Sequence, residues 1–246
     1  MPPLAEGAVH VYQASLNHSA MPLSRLAPLL APEEREWVQR LHFERDRRRY
    51  TAGRLWLRWL IAAHVGATPA EIRFRPGPYG KPALVSPGHA RCLRFSASYS
   101  GDLALFAVAR DTEVGVDVER LRPDVDVEQV AASFFARGER EALRSLAADV
   151  RMRAFFTCWT RKEAYVKALG VGLSLPLDSF DVSAGLEVGR VPDWYSISGP
   201  AGEWSLGDVE VAAGYAAAIA VEGRTHRVPR AAAPIGGSLA TVLGIR

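Results

Sequence analysis

Cysteine is scarce in this chain of 246 residues: Cys92 and Cys158 are the only two, too few and too far apart for a disulfide framework or a Cys-x-x-Cys metal site. A reducing, cytoplasmic setting is the expectation that follows. Long apolar runs are missing as well, since no stretch reaches the roughly 18 residues of a membrane span. The start, with Pro2, Pro3 and Glu6, lacks the basic segment and apolar run of a secretion signal. No membrane partner is expected. Neither sign of charge dominates, with 30 Lys and Arg against 27 Asp and Glu for a net of +3. The densest basic stretch, residues 33–58, mixes eight arginines with five acids, which is too mixed for a nucleic-acid surface. The mildly basic balance suits an acidic partner or a polyphosphate.

What is present is an ordinary globular composition, 48% hydrophobic and 23% charged. The length allows one large domain or two of about 100–120 residues. The most informative stretch runs from Val114 to Gly170. Val114, Val116 and Val118 alternate with Gly115, Asp117 and Glu119, the period-two pattern of a strand, so both carboxylates leave one face. Gly115 shares that face and would let something bulky approach the backbone. From about Arg151 to Leu169 the chain is rich in helix formers and stops at Gly170. Glu163 and Lys167 are four apart, one turn along the same side. Three carboxylates and a lysine are the groups a magnesium-pyrophosphate site needs, because Mg²⁺ takes a few carboxylates and leaves positions for phosphates. The same residues would also suit a solvated strand edge and an ordinary helix ion pair.

In chain order, Ala8 to Ala14 reads as a first strand, and residues 32–42 as a helix burying Trp37 and Leu41. Glu44 to Val65 is a longer helix with Tyr50, Leu57, Leu60 and Ile61 available for burial. It carries Arg45, Arg47, Arg48, Arg49, Arg54 and Arg58, of which about half are expected on a solvated face; the guanidinium fork suits phosphate. Thr68 and Pro69 look like a cap and first turn. Arg73 to Pro82 is too rich in Gly and Pro for anything but a turn or loop, and it lacks the Walker spacing. Phe95 to Ala109 reads as two strands about a turn at Ser100-Gly101-Asp102. Two short helices are expected over Asp126–Phe135 and Glu139–Ala147, with Phe134 and Phe135 in the core. Strands are expected at Phe180–Val182, Trp194–Ile197 and Tyr215–Val221. From Arg227 onward Ala, Pro and Gly dominate without a period, the pattern of an appended tail.

Gly115-Val116-Asp117-Val118-Glu119, followed 44 residues after Glu119 by Trp159-Thr160-Arg161-Lys162-Glu163-Ala164 and Lys167, resembles the two signatures of the 4′-phosphopantetheinyl transferases. Gly172 to Phe180 is similar to that family's continuation. The resemblance spans residues 25–222 and is nearest to the larger, monomeric type that acts on peptide and polyketide synthetases. It implies an α/β (α+β) fold of two similar halves related by a pseudo-two-fold, 1–111 and 112–226, with a cleft between them and the tail 227–246 beyond. It implies a magnesium-dependent enzyme that transfers the 4′-phosphopantetheine of coenzyme A to a serine of an apo acyl or peptidyl carrier protein domain of polyketide, peptide or fatty-acid synthases. Asp117, Glu119 and Glu163 would hold Mg²⁺, Glu163 would also be the base, and Lys167 would stabilise the transferring phosphate.

The same resemblance carries Arg45, Arg49, Lys81, Ser98 and Tyr99 to coenzyme A, through Phe43–Asp46, Gly53-Arg54-Leu55, Tyr79-Gly80-Lys81-Pro82 and Ser98-Tyr99-Ser100. The family has a histidine where Tyr99 stands, so the 3′-phosphate loses a charged partner and the preference for coenzyme A over its dephospho form is expected to relax. Glu139 is similar to a family position near the partner surface. The alternative is a non-catalytic coenzyme A or nucleotide-binding module, which product formation would exclude.

Overall fold

The computed structural model describes residues 4–5, 7–17, 21–86, 92–186, 194–199, 202–224, 229, 231–235 and 239–243. Part of the expected tail and of the amino-terminal start lies outside them. The chain forms an α/β arrangement in which two four-stranded sheets stand back to back, each with a long helix on its outer face. The first half comprises β1 (Val9–Ser15), α1 (Leu23–Leu26), α2 (Pro32–Arg40), α3 (Glu44–Val65), a hairpin of β2 (Arg73–Pro76) and β3 (Pro82–Ser86), then β4 (Leu93–Ser100) and β5 (Leu103–Arg110). The second comprises β6 (Val114–Arg120), α4 (Val127–Phe134), α5 (Arg137–Ser145), α6 (Ala148–Leu169), β7 (Tyr195–Gly199), β8 (Gly202–Asp208) and β9 (Tyr215–Glu222). Two short elements follow, β10 (Ala233–Pro234) and α7 (Leu239–Leu243).

The strand orders are β10-β1-β5-β4 and β6-β9-β8-β7. Within them, pairing is antiparallel apart from β10 against β1. Three apolar layers follow from the two-residue period of the strands. Leu57, Leu60 and Ile61 of α3 meet Phe106 and Val108 on one side; Phe155 and Tyr165 of α6 meet Trp204 and Ala218 on the other. Between the sheets, Val11, Leu105 and Ala107 meet Val116, Val118 and Ile219. Strand β5 is thus covered on both faces, which is why its sequence lacks a polar side.

The long helices have sharp ends. Each has an acid in its first turn, Glu44 and Asp46 in α3 and Asp149 in α6, where the helix dipole favours it. Each ends at a glycine in the left-handed conformation, Gly66 at φ 68° and Gly170 at φ 67°.

Several expectations change. In α2 the buried residues are Glu34 and Val38, while Trp37 is exposed, because the helix presents its glutamate side to α3. Thr68 opens a hydrogen-bonded turn rather than a helix, its hydroxyl donating to Glu71 Oε2. Arg73–Pro76 and Pro82–Ser86 pair as a hairpin, with the Gly and Pro residues confined to its tip. Phe180–Val182 is irregular, following a short 3₁₀ turn at Leu177–Ser179, and the sheet takes β8 instead, a strand with no expectation attached. Phe135 is core but Phe134 is exposed.

The tail also packs. Tyr12 of β1 pairs with Ala233, Ile235 N–H donates to the Gln13 carbonyl at 3.0 Å, and Leu239 is buried in the first core. Elements of two to five residues are too short to show a period.

Candidate active site

The halves meet along β4 and β6. Ser96, Ser98 and Ser100 alternate on β4 and all reach β6: Ser96 Oγ accepts from Val116 N–H, Ser98 Oγ donates to Asp117 Oδ1 at 2.7 Å, and Ser100 Oγ donates to Glu119 Oε2 at 2.7 Å. Asp117 and Glu119 therefore leave β6 on the side facing β4, and small hydroxyls bind them there. Asp117 is 2% exposed. Its Oδ1 also accepts from Lys167 Nζ at 2.6 Å, and Lys167 donates to Ser98 Oγ at 3.0 Å. Its Oδ2 is buried without a hydrogen-bond partner among the described residues, a costly state for a carboxylate oxygen.

Gly115 explains how α6 brings Lys167 and Glu163 so near. A side chain at Gly115 would collide with the Ala164 carbonyl and with the Ala168 backbone. The space beside the carboxylates is taken by the helix itself, not by a ligand, so the bulky neighbour expected from the sequence is α6. Ala164 and Ala168 supply the matching small surface, and Glu163 and Lys167 flank it.

Glu163 and Lys167 line a cleft of about 320 Å³ together with Ser96 and Ala97 of β4 and the hairpin tip at Tyr79–Pro82. Burial pushes the Glu163 carboxyl above the ordinary range, with repulsion from Asp117 and Glu119 adding to it and Lys167 opposing. Burial likewise raises Glu119, against its bond to Ser100, and the Asp117 charge adds to the rise. The three acids share one field. Among the described residues, no three His, Cys, Asp or Glu side chains stand close enough to enclose a metal ion by themselves. A Mg²⁺ site does not require that, since this ion keeps water and phosphate in much of its shell. The unpartnered Asp117 Oδ2 and the raised carboxyls of Glu119 and Glu163 beside it fit such an ion.

The remainder of the motif on α6 is structural. Lys162 and Glu139 are both 0% exposed and pair at 2.7 Å; Lys162 also donates to the carbonyls of Leu177 and Phe180. Arg161 is locked to Asp208 and to the Val182 and Ala184 carbonyls. Trp159 stacks on Phe155. Glu139 consequently faces the interior, where its carboxylate caps α5 through Ala136 N–H and holds Val182 N–H, and it cannot offer a partner surface.

The residues expected to meet coenzyme A separate into three groups. Arg49 donates from Nε and Nη2 to Asp102 Oδ1, and it lines two adjoining hollows, one with Tyr99 and Arg54, the other with Arg45 and Arg48. The Arg45 side chain is 71% exposed and pairs with Asp46 at 3.6 Å. Tyr99 lies over Gly53, where any side chain would strike its ring, and is 43% exposed. Its hydroxyl is pushed up to about 12, chiefly by loss of solvent around it, so it is a neutral donor. Ser98 serves Asp117 and Lys167 as described. Lys81 donates to Glu113 Oε2 at 2.7 Å, to Ala168 O at 2.9 Å and to Val114 O at 3.2 Å, which engages all three of its donors and ties the hairpin to the end of α6. A phosphate contact by Lys81 would have to break that tie.

Sequence reasoning missed Ser96 and Ser100 as partners of β6, and Glu34 as the acid shared by Arg54 and Arg58. The alternation of serines at 96, 98 and 100 was the readable signal for the first two. Nothing in the sequence singles out Glu34 from its neighbours Glu33 and Glu36.

Comparisons with known proteins agree with this geometry. Residues 113–220 match the model of the 4′-phosphopantetheinyl transferase superfamily, and residues 17–111 match that of a 4′-phosphopantetheinyl transferase N-terminal region. The 4′-phosphopantetheinyl transferase HetI of a Nostoc species is 38% identical over 171 residues, 70% of this chain and 72% of the relative. The 4′-phosphopantetheinyl transferase Sfp of Bacillus subtilis is 32% identical over 158 residues, 64% and 68% of the two chains. An L-aminoadipate-semialdehyde dehydrogenase-phosphopantetheinyl transferase of Xenopus laevis is 32% identical over 178 residues, 67% of this chain and 58% of that one. With both halves matched, and with Asp117, Glu163 and Lys167 gathered where they meet, the chain belongs to the 4′-phosphopantetheinyl transferase superfamily.

Proposed function

We propose that this protein transfers the 4′-phosphopantetheine group of coenzyme A to a serine hydroxyl of an apo acyl or peptidyl carrier protein domain of a polyketide, peptide or fatty-acid synthase, acting as a cytoplasmic monomer. The observation that carries the proposal is the buried Asp117, with one oxygen on Lys167 and the other without a partner, beside Glu163 in the cleft between the halves.

Asp117, Glu119 and Glu163 would hold Mg²⁺, which supplies neutralisation of the pyrophosphate charge when bound. Glu163 accepts the proton of the carrier serine, directly or through one water, and its raised affinity for a proton suits that task. The serine oxygen forms a bond to the phosphorus beside the pantetheine arm, the bond from that phosphorus to the bridging oxygen breaks, and adenosine 3′,5′-bisphosphate departs. Lys167, held at Asp117 and Ser98, presents a fixed ammonium where charge grows on the phosphoryl oxygens. Positioning and electrostatics supply nearly all of the catalysis in a transfer of this kind. Arg49, beside Tyr99, and Arg45 in the adjoining hollow would receive the 3′-phosphate end, with Arg49 exchanging Asp102 for phosphate. Lys81 acts here as a tie between hairpin and α6.

The test is intact-protein mass spectrometry of an apo carrier domain incubated with this protein, Mg²⁺ and coenzyme A, with chelator in a parallel sample. Addition of one phosphopantetheine arm only when Mg²⁺ is free is the expected result. Coenzyme A binding without a mass gain on several carriers would leave the silent binding module. A third sample with dephospho-coenzyme A tests Tyr99: the wild type is expected to use both forms similarly, and Tyr99→His to favour coenzyme A by about threefold to tenfold, the worth of one exposed charged contact.

A further inference from the structure

We propose that the first half carries a second ligand site, for a small amphiphile with an apolar body and one carboxylate, in the cavity between α3 and the segment at residues 28–32. At about 630 Å³ it is within the size range of small-molecule pockets. It shares no lining residue with the catalytic cleft or with the hollows at Arg49. Leu55, Trp59, Ala62 and Ala63 of α3, with Leu243 of α7, form an apolar wall long enough for an alkyl or aryl body.

The polar end is cationic. Arg35, Arg58 and Arg73 line the cavity, and no acid does. Arg58 is 2% exposed; its Nε donates to Glu34, its Nη1 to the Ile72 and Pro69 carbonyls, and its Nη2 has no partner among the described residues. That donor is sealed from solvent, so Arg58 contributes a buried positive charge to the wall, while the exposed Arg35 and Arg73 are the guanidinium groups an incoming acceptor can reach. The nearest acids do not cancel the set. Glu34 lies behind Arg58 and is shared with Arg54, and Glu71 is engaged with Thr68 at the rim.

Arg35 donates to the Pro28 and Leu30 carbonyls, and Arg73 to those of Ala70 and Ile72. Carbonyls fix these side chains without neutralising them, and neither arginine forms an ion pair among the described residues. Planar guanidinium groups around an apolar floor suit a carboxylate, which accepts two parallel donors. A cationic amphiphile of equal length would be repelled.

Calorimetric titration of the purified full-length protein with decanoate tests the site, with decylammonium as the charge-reversed probe. Two variants accompany it. Ala63→Trp fills the cavity from an exposed wall position, and the double variant Arg35→Ala, Arg73→Ala removes charge at exposed positions. Far-ultraviolet melts and transfer activity establish that both are folded. Saturable 1:1 binding of decanoate is expected, weakened about tenfold or more by Ala63→Trp and about tenfold by the double variant, with no saturable binding of decylammonium. Absence of saturable decanoate binding overturns the proposal. So does binding unchanged by Ala63→Trp, or equal binding of the two probes.

Discussion

The two long helices are built on one plan and carry different chemistry. Each spans 22 residues and ends at a left-handed glycine. At matching places before that glycine stand Arg58 and Lys162, both buried. Each pairs with the third-position glutamate of the short preceding helix, Glu34 of α2 or Glu139 of α5, and that glutamate also caps its own helix through Ala31 N–H or Ala136 N–H. Each cation then donates to carbonyls of the chain that follows its helix, Ile72 and Pro69 in one half, Leu177 and Phe180 in the other. From the residue after this shared device the halves part: Glu163 and Lys167 on α6 correspond to Trp59 and Ala63 on α3. The buried pair is a common means of fixing each long helix to the short helix before it and the chain after it, and the adjoining face carries Glu163 and Lys167 in one half and apolar residues in the other.

The sharpest test of that contrast is at the parting position. Glu163→Gln keeps the size and removes the proton acceptor, so turnover should fall by about 10²–10⁴-fold in the mass-spectrometric assay while coenzyme A still binds. Trp59→Phe, at the matching place, should leave turnover within about twofold, the size of effect ordinary for an apolar swap away from the chemistry. Normal turnover in Glu163→Gln would falsify the assignment of acid–base work to this half.

The shared device comes next. Removing the cation alone leaves a buried glutamate unpaired, which costs about 3–5 kcal/mol. Lys162→Met and Arg58→Met should therefore both lower Tm, by about 2–4 °C for each kcal/mol in a chain of this size. Arg54 still faces Glu34, so Arg58→Met should be the milder. A Lys162→Met protein with unchanged Tm and no activity would make Lys162 a chemical group and break the parallel.

Much of this was legible in the sequence because period and punctuation were strong. The bounds Glu44–Val65 follow from two terminal signals, first-turn acids and a stop glycine, and the β6 carboxylates follow from strict alternation of Val with polar residues. What escaped depended on partners distant in sequence. Trp37 is exposed and Glu34 buried because Arg54 and Arg58, 20 and 24 residues onward, claim the glutamate. Glu139 is hidden for the same reason. The convergence of Glu113, Val114 and Ala168 on Lys81 is likewise invisible in the sequence. A one-dimensional pattern reports which face a residue occupies; it does not report which opposite charge will be waiting there.

A smaller effect is expected at Gly115. An added methyl meets the Ala164 and Ala168 backbone of α6, not a flexible side chain, so Gly115→Ala should destabilise by about 1–3 kcal/mol, the usual cost of overpacking. Because the helix that moves bears Glu163 and Lys167, transfer activity should fall along with Tm in a urea or thermal melt. At Gly7, where a Cβ would meet nothing, the loss should be confined to the strain of its φ of +69° and should spare activity. Equal activity losses at the two glycines would mean that close contact of α6 with β6 does not set the site.

The smallest expected effect concerns the cost of holding Glu163 ionised. Burial and the neighbouring Asp117 raise its folded-state affinity for a proton above that of the unfolded chain, whose reference value is 4.5. Between that reference and the raised folded value the folded protein binds more protons, so this group's contribution to stability is present at acid pH and is lost as pH rises through the folded value. Glu163→Gln removes the ionisation and should melt slightly higher than the wild type at pH 7. The difference should narrow as pH falls through the raised folded value, where wild-type Glu163 takes up its proton in the fold. Trp59→Phe has no such charge, and its Tm difference from the wild type should be flat over the same range. Differential scanning calorimetry at matched ionic strength reads both curves. A Glu163→Gln difference that is flat as well would remove the electrostatic strain from this half and leave the two helix faces distinguished by shape alone.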